Sequence, residues 1–379
     1  MTTICVDAVA AAPSTRGSNG HARYADGLVG ALCSCSQGAC RVLAASPERP
    51  RECPESAWMR CSCDSWQADV FALPGVTLYH HPTGDLALER LEAIAATLPY
   101  VITMHDLIAL QYYMAAPRRQ SERRAYRQRL ASVLQNARRI VSVSNATRNA
   151  LLREFTDCNL PPIDVVYPGV STLFSRTDPE PGHALLRQRG IEPGKYSVLV
   201  VGAFSPHKGF ADILRATANL LRQGFDASVL VVGAAGRKFV AASSALAVHL
   251  DVRHRVHFLG PVADTELVCL YSYADVLACP SRVEGFGFPP VEALWCGCPV
   301  VAADVPIFHE VLGNAVAYAP IGDSGAWASA LASPVRHTNG NLIADLRCKY
   351  SWGRAADGYR AAYHAALEVP LDQNGREAQ

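Results

Sequence analysis

Apolar residues in the second half of the chain form short continuous runs that alternate with helical patterns. The predicted strands are SVLVVGA (197–203), ASVLVVG (227–233), RVHFLG (255–260), DVLACP (275–280), PVVAAD (299–304) and AVAYA (315–319). Amphipathic stretches predict helices between them at 210–223, 236–250 and 264–273. Continuous apolar strands separated by helices are typical of a parallel sheet covered on both faces. This half therefore predicts a doubly wound α/β domain.

The first half shows the same alternation with less regularity. Its predicted strands lie at 3–9, 41–45, 76–80, 100–104, 139–143 and 163–167. The segment 46–68 mixes Pro, Cys, Trp and charged residues, which indicates an irregular insert. Two Rossmann-like doubly wound domains are therefore expected, with the carboxyl ends of both sheets facing a central cleft.

A segment rich in Pro, Gly and charged residues indicates the boundary between the two domains. Such a segment over 174–195 favours an N-terminal domain of residues 1–180 and a C-terminal domain of residues 181–350. Apolar residues at helical spacing over 351–368 predict a helix within a terminal segment, 351–379. The last ten residues are polar, and we expect them to be frayed.

Composition narrows the class of protein. Half of the 379 residues are hydrophobic, 18% are charged and the net charge is +1, which is typical of a globular protein without a nucleic-acid partner. No apolar run is long enough to span a membrane, and Asp7 interrupts the first one, so we expect a first strand and a cytoplasmic protein. The thirteen cysteines are odd in number and lack zinc-site spacing, which favours reduced thiols and no metal.

Two loops carry candidate chemistry. In FSPHKGF, Gly202 ends a predicted strand and Lys208 precedes a predicted helix, an arrangement suited to a phosphate because the ammonium and the helix dipole act together. In SRVEGFGFPPVEALW, Glu284 and Glu292 lie eight positions apart, and we expect Glu292 in the first turn of a helix. Glu284 suits sugar hydroxyls and Glu292 a ribose diol. The alternatives are a solvated lysine, an exposed loop carboxylate and a carboxylate that complements the helix dipole.

The stretch PSRVEGFGFPPVEALWCGCPVVAADVP (280–306) resembles the E-x7-E signature of retaining family-4 glycosyltransferases with the GT-B fold. The resemblance extends to GHARY (20–24), VITMHDL (101–107), IVSVSNATRNALL (140–152), VVYPGV (165–170), VGAFSPHKGF (201–210) and YSWGRAADGY (350–359). Within the family, the chain is most similar to mannosyltransferase-like enzymes that build bacterial surface polysaccharides.

The resemblance implies a role for each matching residue. Lys208 would neutralise the donor pyrophosphate, Glu292 would hold the ribose, and His105 would lie beside the anomeric carbon. Glu284 would hold the transferred sugar. The remaining donor-binding positions are the Gly20 loop, Gly202, His207 and the backbone of Gly285, Phe286 and Gly287. Without the resemblance, we would interpret His105 as a core histidine at the end of a strand.

One departure from the family concerns the phosphate clamp. Many members carry an arginine five residues before the lysine, where this chain has Ala203. The most similar subgroup usually has arginine directly before the lysine, where this chain has His207. The clamp therefore depends on Lys208 and on any charge that His207 carries.

The implied function is retaining transfer of a hexose from a GDP- or UDP-linked sugar to a glycan or polyprenyl-diphosphate-linked acceptor. The similarity to the mannosyltransferase-like subgroup implies mannose from GDP-mannose. No cofactor or metal is expected, since no D-x-D motif follows a predicted strand. The alternatives are a GT-B-type nucleotide-sugar epimerase and a catalytically dead partner subunit.

An arginine-rich segment suggests a further partner. Residues 118–139 hold eight arginines and one glutamate, and Arg119, Arg123 and Arg127 follow one another at helical spacing. Like charges at this spacing destabilise an isolated helix, which favours an anionic partner such as a membrane surface or the acceptor diphosphate. The alternative is a solvated arginine-rich helix.

Overall fold

The computed structural model describes residues 2–9, 20–34, 40–46, 48–50, 53–60, 75–84, 88–95, 97–192, 195–335 and 340–368. The chain forms two compact units. Unit 1 comprises Met1–Gly169 and Tyr350–Gln379, and unit 2 comprises Val170–Lys349. The helix that follows Tyr350 thus belongs to the first unit.

Unit 1 is built on a seven-stranded parallel sheet. Its strands are β1 (Thr2–Asp7), β2 (Cys40–Ser46), β3 (Trp58–Arg60), β4 (Val76–His81), β5 (Tyr100–Met104), β6 (Arg139–Ser142) and β7 (Ile163–Val165), in the order β3-β2-β1-β4-β5-β6-β7. Its helices are α1 (Gly20–Ser34), α2 (Leu88–Ala95), α3 (Gln120–Asn136), α4 (Asn145–Glu154) and the C-terminal helix, Trp352–Glu368.

Unit 2 is built on a six-stranded parallel sheet. Its strands are β8 (Tyr196–Val201), β9 (Ala227–Val232), β10 (Val256–Gly260), β11 (Val276–Cys279), β12 (Val300–Ala303) and β13 (Ala317–Ala319), in the order β10-β9-β8-β11-β12-β13. Its helices are α5 (Glu180–Gln188), α6 (Phe210–Arg222), α7 (Arg237–His249), α8 (Asp264–Tyr273), α9 (Phe288–Trp295), α10 (Pro306–Leu312), α11 (Ser324–Ala332) and α12 (Gly340–Lys349). The C-terminal helix of unit 1 is α13.

Every strand predicted from apolar runs is present, and so is the doubly wound order. Burial explains this result, because β9 and β11 are buried along their whole lengths and so require apolar residues on both faces. The irregular insert predicted over 46–68 is partly wrong, since β3 pairs with β2 at the sheet edge. Residues 61–68 and the predicted frayed end, 370–379, lie outside the described residues.

A tryptophan joins α13 to the rest of unit 1. A Cβ atom added at Gly27 in α1 would lie 2.2 Å from the Trp352 ring, and one at Gly169 would lie 2.4 Å from it. Glycine in the middle of a helix normally costs stability. At position 27 it is required because the indole occupies the space of a side chain.

Candidate active site

The strands β8 and β11 mark the point where the winding of unit 2 reverses. They are neighbours in the sheet, and the chain runs outwards from them in opposite directions. Ligands of open α/β sheets bind beside the carboxyl ends of such strands. A cavity that opens to solvent lies there, lined by Val200, Val201, Gly202, Phe204, Lys208, Ala278, Cys279, Pro280, Ser281, Glu284, Pro289, Pro290 and Phe308. The structure thus brings together three predicted site residues: Gly202, Lys208 and Glu284.

The loop that carries Lys208 is shaped by a close backbone contact. After the short turn Pro206–Lys208, Gly209 adopts a φ of 65° and leads into α6. A Cβ atom there would lie 2.1 Å from the carbonyl oxygen of Pro280, so a side chain does not fit. The amide of Arg282 also donates a hydrogen bond to the carbonyl of His207, at 2.8 Å. The loop after β8 and the loop after β11 are therefore packed against each other.

Lys208 and Glu284 form an ion pair in this cavity. The ammonium nitrogen lies 2.5 Å from the carboxylate oxygen Oε1, and the side chains are 21% and 15% exposed. Both groups line the cavity, so they face the space that a ligand would fill. An anionic ligand at the ammonium would compete with this carboxylate.

His207 adds no charge to this pair near pH 7. The side chain is buried, and burial first, then the neighbouring Lys208, lowers the pKa of its imidazole below the usual value. The Nδ1 atom is 3.0 Å from the hydroxyl of Ser205. The side chain of His207 does not line the cavity. Ala203, at the other position where family members carry arginine, is exposed and has no charge. The positive charge available for a phosphate here is therefore that of Lys208.

Glu292 lies deeper than expected. It is the fifth residue of α9, so the prediction that it lies in the first helical turn is wrong, and so is the dipole alternative. The side chain is 1% exposed and accepts a hydrogen bond of 3.0 Å from the hydroxyl of Tyr271. Glu292 does not line the cavity in this structure. Its assignment to a ribose remains a prediction.

The segment between the two glutamates fixes the start of α9. Phe286 is buried against Phe288, with ring centroids 5.2 Å apart. Gly287 has a φ of 87°, and a Cβ atom there would lie 2.9 Å from the ring of Phe308. Phe286 thus anchors the loop, and any contribution of Gly285, Phe286 and Gly287 to a ligand comes from the backbone.

His105, in unit 1, directly follows β5 and is held as a neutral imidazole. Its Nε2 atom donates a hydrogen bond of 2.8 Å to the carbonyl of Pro82, so Nδ1 is left as the acceptor. Burial first, then the nearby His21, lowers the pKa of His105 to about 3. The imidazole also contacts the ring of Tyr24, with centroids 4.4 Å apart.

Gly20 is the first residue of α1. Residues 20–24, which were expected to form a loop, are therefore helical, and that prediction is wrong. The preceding residues 10–19 lie outside the described residues. Sequence reasoning also missed Tyr24, Tyr271 and Tyr359. Tyr24 and Tyr359 carried a signal, since they end the motifs GHARY and YSWGRAADGY, whereas Tyr271 carried none.

The arginine-rich segment is largely neutralised by neighbouring carboxylates. Its ion pairs join Arg119 to Glu122, Arg123 to Glu154, Arg127 to Glu154 and Asp157, Arg129 to Glu92, and Arg139 to Asp164. The like-charge stacking that suggested an anionic partner is thus offset within the fold. Among the helices that the structure describes, none combines the length and the apolar character needed to cross a bilayer.

Comparisons with known proteins agree with this architecture. The family model "Glycosyltransferase Family 4" matches residues 20–173, and "Glycosyl transferases group 1" matches residues 184–336. The solved structure of Anabaena HepE with UDP and glucose superposes with a TM-score of 0.71 at 18% identity, covering 96% of this chain and 100% of that one.

Two curated relatives are similar in sequence. The O-antigen chain mannosyltransferase RfbU of Salmonella typhimurium is 35% identical over 133 residues, which is 35% of this chain and 36% of RfbU. The D-inositol 3-phosphate glycosyltransferase of Corynebacterium diphtheriae is 31% identical over 292 residues, which is 73% of this chain and 67% of that protein. The chain thus spans about a third to two thirds of these relatives. With two doubly wound units and matches along both, the chain belongs to glycosyltransferase family 4 and has the GT-B fold.

Proposed function

We propose that this protein is a retaining glycosyltransferase that moves a hexose from a nucleotide sugar to a glycan or lipid-linked acceptor. The observation that carries the proposal is the Lys208–Glu284 pair, which faces a cavity at the switch point of unit 2. An ammonium suits a diphosphate and a carboxylate suits sugar hydroxyls. One cavity therefore offers partners for both parts of a nucleotide sugar.

Lys208 has the chemistry to assist the leaving group. Negative charge develops on the nucleoside diphosphate as the glycosidic bond breaks, and a fixed positive charge lowers that barrier. The amino end of α6 points its dipole at the same loop. In the proposal, the diphosphate replaces Glu284 at the ammonium, and the released carboxylate accepts hydrogen bonds from the sugar. No metal ion is needed to neutralise the leaving group.

The proposal assigns retention to front-face attack, as the family resemblance implies. The leaving phosphate oxygen takes the proton of the acceptor hydroxyl, so no protein nucleophile is required. His105 is suited to accept a hydrogen bond from the transferred sugar, because it is neutral and Nδ1 is its acceptor. Gly20, Gly202, His207, Glu292 and the Gly285–Gly287 backbone remain the proposed donor-binding set, with His207 acting without charge.

The name of the relative RfbU, an O-antigen chain mannosyltransferase, supports mannose as the transferred sugar and polysaccharide synthesis as the process. GDP-mannose is the proposed donor. The HepE structure, which contains UDP and glucose, supports a UDP-linked donor instead. A polyprenyl-diphosphate acceptor would bring the enzyme to the inner face of the membrane as a peripheral protein. Arg118 and Arg124 are exposed, and no ion pair to them occurs among the described residues, so they are the candidates for anionic headgroups. Anionic-vesicle co-sedimentation that is unchanged by Arg118→Glu and Arg124→Glu would contradict this part.

A donor assay separates the candidate functions. The protein is incubated with GDP-mannose, UDP-glucose or other nucleotide sugars, with and without acceptors, and the products are followed by NMR. Release of nucleoside diphosphate with an α-linked product from an α-linked donor supports a retaining transferase. A changed sugar on an intact nucleotide would indicate an epimerase. Neither product from any donor would indicate a dead partner subunit. Lys208→Ala is the control that should abolish release.

A further inference from the structure

A continuous chain of buried polar groups runs through unit 1. Tyr363 on α13 lies 2.7 Å from Nδ1 of His80, whose Nε2 atom is 2.8 Å from the hydroxyl of Thr103. That hydroxyl is 2.7 Å from the hydroxyl of Tyr359, which in turn bonds the hydroxyl of Tyr24. All five side chains are at most 1% exposed. The chain thus joins α13 to two strands and to α1 without access to bulk water.

Tyr24, the last residue of this series of hydrogen bonds, contacts the ring of His105. The rings of Tyr24 and His105 meet edge to face, with centroids 4.4 Å apart and planes at 82°. The Trp352 ring contacts Tyr24 with centroids 5.7 Å apart. The Tyr24 ring is thus fixed at its hydroxyl by Tyr359 and along its body by Trp352. It holds one side of an imidazole that Pro82 holds at Nε2.

We propose that Tyr359 is a positioning residue for transfer. Its hydroxyl fixes the Tyr24 ring, and the ring sets the orientation of the His105 imidazole. This inference rests on the proposed role of His105 in sugar transfer. Loss of the Tyr359 hydroxyl leaves the Tyr24 hydroxyl with Thr103 as a partner but without its bond to α13, so the ring is held less firmly and can tilt.

The experiment compares Tyr359→Phe, Tyr24→Phe and the double variant with Tyr100→Phe. Tyr100 is the matched control because it lies in the same unit, is 1% exposed and donates a buried hydrogen bond to the carbonyl of Val133. It has no part in the hydroxyl chain. The readouts are the kcat of donor turnover, the Kd of nucleoside diphosphate, thermal unfolding, and the ¹⁵N imidazole signals of His105, assigned with His105→Gln.

We expect Tyr359→Phe to lower kcat by roughly tenfold, since small displacements of positioned groups carry costs of this order or more. The nucleotide Kd should not change, and the His105 signals should move. Tyr24→Phe should have the same effect and the double variant no more, because both changes remove one shared hydrogen bond. Tyr100→Phe should lower stability only.

Unchanged His105 signals and unchanged kcat in a folded Tyr359→Phe protein would overturn the inference. Equal loss of kcat in Tyr100→Phe would also overturn it, since the effect would then be one of stability. If the unaltered protein turns over no nucleotide sugar, the proposed function fails, but the His105 signals still decide whether Tyr359 orients the imidazole.

Discussion

Lys208 and Glu284 neutralise each other across the cavity of unit 2, with Nζ and Oε1 2.5 Å apart. Without a donor, the group suited to the diphosphate and the group suited to the sugar thus bind one another. Under the proposed function, the donor diphosphate competes with this carboxylate for the ammonium. The ion pair also keeps two charged side chains, each less than a quarter exposed, from lying unpaired.

The first prediction concerns this competition. Glu284→Gln should tighten the binding of nucleoside diphosphate by up to about fivefold, the equivalent of about 1 kcal/mol for a partly exposed ion pair. Turnover should fall, because the amide is a poorer acceptor for sugar hydroxyls. Isothermal titration and a donor assay measure the two effects. Glu192→Gln, at an exposed position that does not line the cavity, is the control. Weaker diphosphate binding in Glu284→Gln would refute the competition.

The second prediction concerns the buried Glu292. If Glu292 holds the ribose, Glu292→Gln should weaken nucleotide binding by about tenfold, the value of a lost charge-assisted hydrogen bond, with little change in kcat. Tyr271→Phe removes one hydrogen-bond donor to the carboxylate and should affect mainly stability. Titration with the nucleotide and with the free base, which lacks the ribose, distinguishes a lost ribose contact from a general loss of stability. Equal, small effects of both variants would assign Glu292 to the core of unit 2.

The third prediction concerns acid pH. Burial lowers the pKa of His80 to about 3, against an ordinary value near 6.5. Below pH 6.5 the unfolded chain binds a proton there that the folded chain does not. The free energy of unfolding of unit 1 should therefore fall by about 1 kcal/mol per pH unit between pH 6 and pH 4 from this group alone.

Hydrogen exchange of strands β4 and β5 at several pH values measures this slope. His80→Gln should reduce this slope by the amount that one titrating proton contributes. His364→Gln, at an exposed position on α13, should leave the slope unchanged. An unaltered slope in His80→Gln would mean that His80 does not govern the acid sensitivity.

The fourth prediction contrasts two glycines in helices. Replacing an exposed helical glycine by alanine usually stabilises a protein by about 0.5–1 kcal/mol. Gly353→Ala in α13 should follow this rule, since beyond the adjacent residues and the backbone of its own helix no atom lies within 4 Å of the added Cβ. Gly27→Ala should destabilise unit 1 instead, because its Cβ would lie 2.2 Å from the Trp352 ring. Urea unfolding measures whether each variant raises or lowers the free energy of unfolding. Stabilisation by Gly27→Ala would show that Trp352 does not pack as described.

Local patterns were sufficient for most of the fold. Strands buried on both faces need continuous apolar runs, so β8, β9 and β11 were evident in the sequence. β3 was missed because only three residues, Trp58–Arg60, pair at the edge of the sheet. Such a short segment carries no periodic signal.

The site was predictable as far as chain topology determines it. Gly202, Lys208 and Glu284 follow the carboxyl ends of neighbouring strands, so their convergence follows from the strand order. The contacts of individual side chains were not predictable. The pairing of Lys208 with Glu284 and the cover of Glu292 by Tyr271 join residues far apart in the chain. The arginines of α3 looked like an anion-binding face because their partners Glu92 and Glu154 come from α2 and α4.

A thermal-shift titration with UDP, GDP and dTDP, using the unaltered protein and Lys208→Ala, tests directly whether the cavity of unit 2 binds a nucleoside diphosphate through Lys208. A ligand present at 100 times its Kd stabilises the folded state by about 2.7 kcal/mol, which is readily measured. At least one nucleoside diphosphate should raise the Tm of the unaltered protein. Lys208→Ala should weaken the binding of this ligand by roughly 10- to 100-fold, the range for a charge-assisted hydrogen bond. No shift with any of the three, or equal shifts in both proteins, would contradict the assignment of the cavity to a nucleotide-sugar donor.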